Sequence, residues 1–174
     1  MKLSGLRVLD LSSFLPGPYL TLTMADHGAE VIKVEAPTGD HGRKIGPPDG
    51  DTTVFFRNVN RGKKSVVIDL KTPVGRDALL TLCETADVFV ESFRPGVAAR
   101  LGIGYDAVQA RNPNIVYCSI SAFGQTGPYA QRPAHDLATE AMSGVLSVTL
   151  GNDDAPAIPG IPVSDLLAGL QGLS

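Results

Sequence analysis

Five short apolar runs, each containing β-branched residues, recur along the chain and limit what it can fold into. They read RVLDLS (7–12), AEVIKVE (29–35), SVVIDL (65–70), DVFVES (87–92) and NIVYCSIS (114–121). Their mostly continuous apolar character is typical of β-strands that are buried on both faces. We therefore predict a sheet whose two faces are covered by other elements.

The segments between these runs carry helix signals. The first, PGPYLTLTMADHGA, opens with Pro and closes at Gly28, which suits the residue just past a helix end. Another, KTPVGRDALLTLCETA, offers Thr72 as N-cap and Pro73 as first helical residue. Its inward stripe would consist of Leu79, Leu82 and Cys83. Because a shorter helical piece, YDAVQARNP, precedes the fifth run, strands and helices alternate, which predicts an α/β fold with a mainly parallel sheet.

Composition limits the classes of function. The chain has 174 residues, 43% of them hydrophobic, and a net charge of −3, so we expect one domain without the basic field that nucleic acid or an anionic membrane requires. The two cysteines, Cys83 and Cys118, form neither a CxxC pair nor a disulfide framework, which predicts a reducing, cytoplasmic setting. The N-terminal run is too short for a signal peptide or a membrane span.

Any anion site must therefore be local. Ligands of open α/β sheets bind beyond the carboxyl ends of the strands, which here points to the loops 12–18, 36–50, 92–97 and 121–133. Segment 35–51 is rich in Gly and Pro and is interpreted as a long surface loop. The nearest match to a GxGxxG fingerprint, GIGYDA, has no strand directly before it, so a dinucleotide site is not predicted.

One basic cluster stands out, RNVNRGKK at 57–64, with four positive charges and no negative one. The other candidate loops contain Arg43, Arg94, Arg100 and Arg132. Arginine suits phosphate because its planar fork donates two parallel hydrogen bonds. The alternative is that the cluster is only a solvated loop.

Four blocks of the chain carry a resemblance to a known family. They read LSGLRVLDLSSFLPGPYLTLTMADHGAEVIKVEAPTGDHGR, NRGKKSVVIDLKT, ADVFVESFRPGVAARLGIGYD and NPNIVYCSISAFGQTGPYAQRPAHD. Together, and in this order, they resemble the class III CoA-transferase family. That family includes formyl-CoA transferases, carnitine CoA-transferases and α-methylacyl-CoA racemases.

The resemblance implies a Rossmann-like CoA-binding domain, with residues 1–174 matching only the family's N-terminal part and a second, smaller domain absent. It further implies an interlocked homodimer for the full-length protein. Coenzyme A or acyl-CoA would be a substrate, with a carboxylic acid as acceptor, and neither a permanently bound cofactor nor a metal is expected. In formyl-CoA transferases a Gln-Ala pair stands where this chain has Leu15 and Pro16, so the resemblance does not extend to a formyl or oxalyl assignment.

The family's CoA contacts can be carried over position by position. They fall in the loop after KVE, in NRGK, in FRPG and at the Arg before LG, which here are Arg43, Arg61, Lys63, Phe93, Arg94 and Arg100. The resemblance thus favours a phosphate-binding role for the basic residues over the alternative of a solvated loop.

Two chemistries are implied for one carboxylate. In the transferase branch an Asp, matched here by Asp165, attacks the thioester and forms a covalent intermediate. In the racemase branch His135 and Asp165 would exchange the α-proton from opposite sides. Three alternatives stay open: Ser164 or Asp165 only caps a helix, Asp136 is a structural first-turn acid, or the chain is a non-catalytic CoA-binding fragment.

Overall fold

The computed structural model describes residues 1–148 and 155–174. The strands are β1 (Arg7–Asp10), β2 (Glu30–Glu35), β3 (Pro48–Asp49), β4 (Thr52–Thr53), β5 (Lys64–Val67), β6 (Val88–Glu91) and β7 (Val116–Ser119). The helices are α1 (Pro16–Asp26), α2 (Val54–Asn60), α3 (Pro73–Cys83), α4 (Val97–Arg100), α5 (Tyr105–Arg111), α6 (Asp136–Ser143), α7 (Val145–Val148) and α8 (Val163–Leu173), with a 3-10 turn at His41–Lys44. None of the helices in these two ranges combines the length and the hydrophobicity of a membrane-spanning segment.

Five strands form one parallel sheet in the order β5-β2-β1-β6-β7. Alternate residues of the central strand face opposite sides: Val8 packs in a cluster with Leu20 of α1, and Leu9 packs in a second cluster with Leu79 of α3. The prediction of an α/β fold with helices on both faces is confirmed.

The predicted signals of α3 are confirmed in detail. Thr72 is the N-cap, and its side-chain oxygen accepts a hydrogen bond from the Gly75 N–H at 3.0 Å. Leu79 and Cys83 are fully buried, and Leu82 packs against the same cluster. Gly28 follows α1 with φ of +102°, a conformation that a side chain would strain.

Two predictions about local structure and one open alternative were wrong. The edge strands are not buried on both faces, since Val67 in β5 is 62% exposed and Val116 in β7 is 61% exposed. Segment 35–51 is not a loop throughout, because it holds the 3-10 turn and the first strand of the β3–β4 hairpin. The basic cluster at 57–64 is not a loop either, since its first half lies in α2.

Helix α8 packs on the first turn of α1 through glycine. A Cβ added to Gly169 would lie 2.7 Å from the Pro16 carbonyl oxygen and 3.1 Å from the Tyr19 ring. The first turn of α1 follows the carboxyl end of β1. Because Asp165 precedes Gly169 by one helical turn, roughly 6 Å along the axis, the start of α8 lies near the carboxyl edge of the sheet.

Candidate active site

Asp165 is the third residue of α8, and it does not cap the helix. The N-cap position is Pro162, and no side chain of the cap residue bonds the helix. The interpretation that Ser164 or Asp165 caps α8 is therefore wrong. Within residues 1–148 and 155–174, the half-buried Asp165 carboxylate takes part in no side-chain hydrogen bond, so it is available for another role.

The acceptors that α8 needs at its start come from α6. Asp136 Oδ1 accepts a hydrogen bond from the Asp165 N–H at 3.0 Å, and Glu140 Oε1 accepts one from the Val163 N–H at 3.1 Å. Asp136 is the first residue of α6, as its first-turn interpretation predicted, but its carboxylate also serves another helix. Glu140 was missed by sequence reasoning, because nothing in the local pattern distinguishes it from a solvated helical acid.

The surroundings of Asp165 raise the pKa of its carboxyl above the ordinary value. Burial is the main cause, and the negative charges of Asp136 and Glu140 act in the same direction. His135 opposes them with positive charge. The structure therefore brings His135, Asp136 and Asp165 together, with His135 exposed at the N-cap of α6.

A cavity of about 210 Å³ opens beside these residues. Its walls are Asp136, Leu137, Glu140 and the turn 158–162. Ligand pockets commonly measure ~300–1,000 Å³. The cavity is smaller than these pockets, and Asp165 is not among the residues that line it.

Lys63 lies in the protein interior, with its side chain only 2% exposed. Its ammonium group donates to Asp10 Oδ2 at 3.0 Å, the Pro18 carbonyl at 2.9 Å, Thr21 Oγ1 at 2.7 Å and Asn60 Oδ1 at 2.9 Å. An ammonium group has three N–H donors, and four protein acceptors surround this one. The ammonium group of Lys63 is thus enclosed by protein acceptors, and its predicted contact with CoA stays a prediction.

Lys63 belongs to a buried charge cluster, which consists of Asp10, Lys33, Asp40 and Lys63. Lys33 pairs with Asp40 at 2.7 Å and donates to the Ser12 carbonyl at 2.8 Å. Burial alone would raise the pKa of Asp10, but Lys63 and Lys33, with hydrogen bonds from two hydroxyls, lower it to about 2. Since its members come from β1, β2 and the segments after β2 and α2, the cluster holds the loops at this edge in place.

Arg43 is fixed to the end of β2 by a bidentate ion pair. Its Nε and Nη2 donate to the two Glu35 oxygens at 2.7 and 2.8 Å, and its guanidinium lies 3.9 Å above the Phe56 ring. Hydrogen bonding from Arg43 is the main reason that the pKa of Glu35 falls to about 2. The pair occupies two of the five N–H donors of Arg43, so the rest can meet a phosphate.

The remaining candidate CoA ligands are nearer the solvent. Arg94 and Arg100 are exposed and have no ion-pair partner in the described part of the chain. Arg61 is exposed and pairs with Asp26 at 2.5 Å. Phe93 is half-buried against the core, and its N–H donates to the buried Glu91 carboxylate at 2.7 Å, which orders the turn after β6. Among the candidate CoA ligands, Arg94 and Arg100 therefore offer the least encumbered cationic groups.

A metal centre finds no support in the described residues, 1–148 and 155–174. They contain no group of three or more His, Cys, Asp or Glu side chains arranged to hold a metal ion. The carboxylates around Asp165 are instead engaged with helix N–H groups.

Comparison with known sequences identifies relatives over nearly the whole chain. Succinyl-CoA:glutarate CoA-transferase from Mus musculus is 44% identical over 97% of this chain and 39% of its own length. Acetyl-CoA:oxalate CoA-transferase from Acetobacter aceti is 45% identical over 95% of this chain and 43% of its own length. The chain thus spans less than half the length of these relatives.

Solved structures agree with the sequence comparison. A CAIB/BAIF family protein from Brucella suis superposes with a TM-score of 0.94 at 39% identity, over 98% of this chain and 47% of that one. The Rv3272 protein from Mycobacterium tuberculosis superposes with a TM-score of 0.90 at 40% identity, over 98% of this chain and 47% of that one. The family model of CoA-transferase family III matches residues 3–174. The chain therefore belongs to CoA-transferase family III.

Proposed function

We propose that the protein containing this chain is an acyl-CoA:carboxylate CoA-transferase in which Asp165 forms a covalent intermediate. The observation that carries the proposal is the placement of Asp165 on the first turn of α8, half-buried and not used as a cap. Membership of the family and the names of the relatives support the transferase class.

The reaction divides into four acyl transfers at Asp165. The carboxylate attacks the thioester carbonyl, the C–S bond breaks, and a mixed anhydride and CoA thiolate result. The thiolate then attacks the aspartyl carbonyl of the anhydride, which releases the donor acid and leaves an aspartyl-CoA thioester. The acceptor carboxylate attacks that thioester and expels the thiolate, which finally attacks the acceptor carbonyl of the new anhydride and restores Asp165.

The environment of Asp165 suits a carboxylate that must react. Burial raises its pKa and removes part of the water that would otherwise solvate it. The positive end of the α8 dipole favours the ionised form at the same place. The carboxylate is thus held at a helix start while its oxygens remain available.

The covalent step can be tested by trapping. Incubation with an acyl-CoA donor and hydroxylamine should convert the Asp165 side chain to a hydroxamate that mass spectrometry locates. Asp165→Asn should abolish both the label and turnover. The matched control is Asp106→Asn, since Asp106 is also a first-turn acid of a helix, exposed on α5. Unimpaired turnover by Asp165→Asn would refute the mechanism.

We infer that the CoA phosphates are bound by Arg94 and Arg100, with contributions from Arg61 and Arg43, and that Phe93 shapes the turn beneath them. Each Arg→Ala variant should weaken the binding of CoA by ~1–3 kcal/mol per lost charged hydrogen bond. A pantetheine analogue that lacks the phosphates should bind each variant with unchanged affinity. Arg111→Ala is the matched control, because Arg111 lies at the end of α5 that leads into the opposite edge of the sheet. Equal losses for both ligands would contradict the assignment.

The names of the relatives guide the choice of acceptor. Two of them are named for transfer to glutarate and to oxalate. We propose short dicarboxylic acids as the first acceptors to test, with succinyl-CoA and acetyl-CoA as donors.

A second candidate function is α-methylacyl-CoA racemisation by His135 and Asp165. The observation that favours it is their proximity, since the charge of His135 acts on the Asp165 carboxyl. A racemase would place deuterium on the α-carbon of a 2-methylacyl-CoA in deuterated water, with loss of exchange in His135→Ala. Transferase turnover without exchange would exclude this candidate.

A third candidate concerns the 174-residue chain by itself. Because it spans less than half of its relatives, we propose that it binds CoA and that further protein completes the site. Purified chain should then bind CoA without turnover. We also propose that the longer protein is a cytoplasmic homodimer. Light scattering would measure its oligomeric state.

A further inference from the structure

Glu140 is the most unusual titratable residue outside the reacting groups. It lies in the second turn of α6, and none of its surface is exposed. One carboxylate oxygen accepts the Val163 N–H at 3.1 Å. The other oxygen is buried and has no hydrogen-bond partner within residues 1–148 and 155–174. Burying a carboxylate in this way costs free energy, so the arrangement calls for a function.

The start of α8 explains the position of Glu140. The first N–H groups of a helix have no partner inside it and need acceptors from elsewhere. Pro162 occupies the N-cap and has no side-chain oxygen to offer. Asp136 and Glu140 lie four residues apart on one face of α6, and they accept from the third and first residues of α8. Helix α6 thus supplies the cap that the α8 sequence lacks.

We propose that Glu140 is a positioning residue of the active site, which fixes the first turn of α8 and thereby presents the Asp165 carboxylate to the substrate. This inference rests on the proposed role of Asp165 as the reacting group. The hydrogen bond between Glu140 and the Val163 N–H fixes the turn that carries Asp165. Loss of this bond would therefore allow that turn to shift. Asp136 holds Asp165 itself, and Glu140 holds the residue at which the helix begins.

Glu140 also acts on Asp165 through its charge. The titratable groups that influence Asp165 are Asp136 and Glu140 on α6 and His135 at the start of that helix. On the other side, α1 brings the Tyr19 ring against α8 at Gly169, one turn further on. Glu140 raises the pKa of Asp165, after burial and Asp136. A residue with a purely structural role would leave the pH profile of the reaction unchanged.

Three substitutions separate the bond from the charge in the full-length protein. Glu140→Gln keeps an oxygen that can accept from Val163 but removes the charge. Glu140→Asp keeps the charge but is one methylene too short to reach, and Glu140→Met removes both. Turnover should fall by about 100-fold in Glu140→Asp and Glu140→Met, because misplacing a reacting group by ~1 Å costs roughly that factor. KM for acyl-CoA should change little, since within residues 1–148 and 155–174 no hydrogen bond or ion pair links the Glu140 side chain to the arginine loops.

Glu140→Gln should recover most of the turnover lost by Glu140→Met, with the acid limb of its pH profile displaced to lower pH. The control is Glu84→Met, which replaces an exposed glutamate at the end of α3. If Glu140→Met does not fold, Glu140→Asp decides. Wild-type turnover in Glu140→Asp, or equal losses in all three variants with no displacement of the acid limb, would overturn the proposal.

The two proposals can fail separately. If Asp165→Asn keeps its turnover, or if hydroxylamine labels no Asp165 peptide, the function proposed for Asp165 is wrong whatever the Glu140 variants do. If Asp165 is labelled and required while Glu140→Asp and Glu140→Met turn over normally, only the positioning role of Glu140 is refuted.

Discussion

Replacing Lys63 with Met would distinguish between two possible roles of this residue. The resemblance to the family implies a CoA contact, whereas the structure encloses the ammonium group in the buried charge cluster. A surface CoA ligand can be removed with little effect on the free energy of unfolding. A buried ion cannot, because its partner is left unpaired in the interior.

The size of the effect follows from what Asp10 retains. Removing one member of a buried ion pair typically costs ~3–5 kcal/mol. Asp10 keeps hydrogen bonds from the Ser12 N–H and the Ser12 and Thr21 hydroxyls, and Lys33 remains near it. We therefore expect the lower end, about 3 kcal/mol. Lys64→Met is the matched control, since Lys64 is 71% exposed in its pair with Glu30 and such pairs contribute ~0–1 kcal/mol.

Urea unfolding followed by circular dichroism measures both variants, and its pH dependence has a definite sign. In the wild type the pKa of Asp10 is about 2, below its unfolded value, so its ionisation stabilises the fold above about pH 4 and that contribution is lost towards pH 2. Without Lys63 this pKa rises. The loss in Lys63→Met should therefore be largest near neutral pH and shrink in acid. Unchanged stability combined with weaker CoA binding would refute the structural role.

The other predictions concern packing, ionisation and thiols. Gly169→Ala should destabilise the protein by ~1–3 kcal/mol, because its Cβ would lie 2.7 Å from the Pro16 carbonyl, whereas Gly160→Ala, with open space around it, should not. Transferase turnover should fall in acid with an apparent pKa above the usual Asp value of about 3.9, since burial raises that of Asp165; a profile flat down to pH 4 would count against it. Iodoacetamide should label the half-buried Cys118 before Cys83, because burial encloses Cys83 and raises its pKa to about 11. Equal labelling rates in the native state would contradict this packing.

The sheet and its crossover helices could be predicted because their signals are local. Alternating apolar runs and helix segments specify an α/β fold. Thr72 caps α3 by accepting a hydrogen bond from Gly75, which is only three residues further along the chain. The exposed edges could not be predicted in the same way. The runs of β5 and β7 are as apolar as those of the central strands, and only the strand order leaves Val67 and Val116 at the outside.

Helix α2 and Lys63 illustrate a second limit. The sequence VFFRNVN has only seven residues and no clear helical stripe, so its helix depends on the Thr53 cap and on tertiary packing. Lys63 looks like any lysine of a basic cluster. Its burial follows from Asp10, which lies 53 residues away. Sequence distance hid the partner, and with it the difference between Lys63 and Lys64.

The site itself shows why local patterns misassign Asp165. A Ser or Asp ahead of an apolar helical run is the usual signature of an N-cap. Here the cap comes from Asp136 and Glu140, which lie 29 and 23 residues before their partners in α8. Since another helix satisfies the first N–H groups, the Asp165 carboxylate accepts none of the hydrogen bonds found within residues 1–148 and 155–174. In the mechanism proposed above, a carboxylate that also capped its helix would destabilise that helix at each acylation, and a cap supplied by α6 would avoid this conflict.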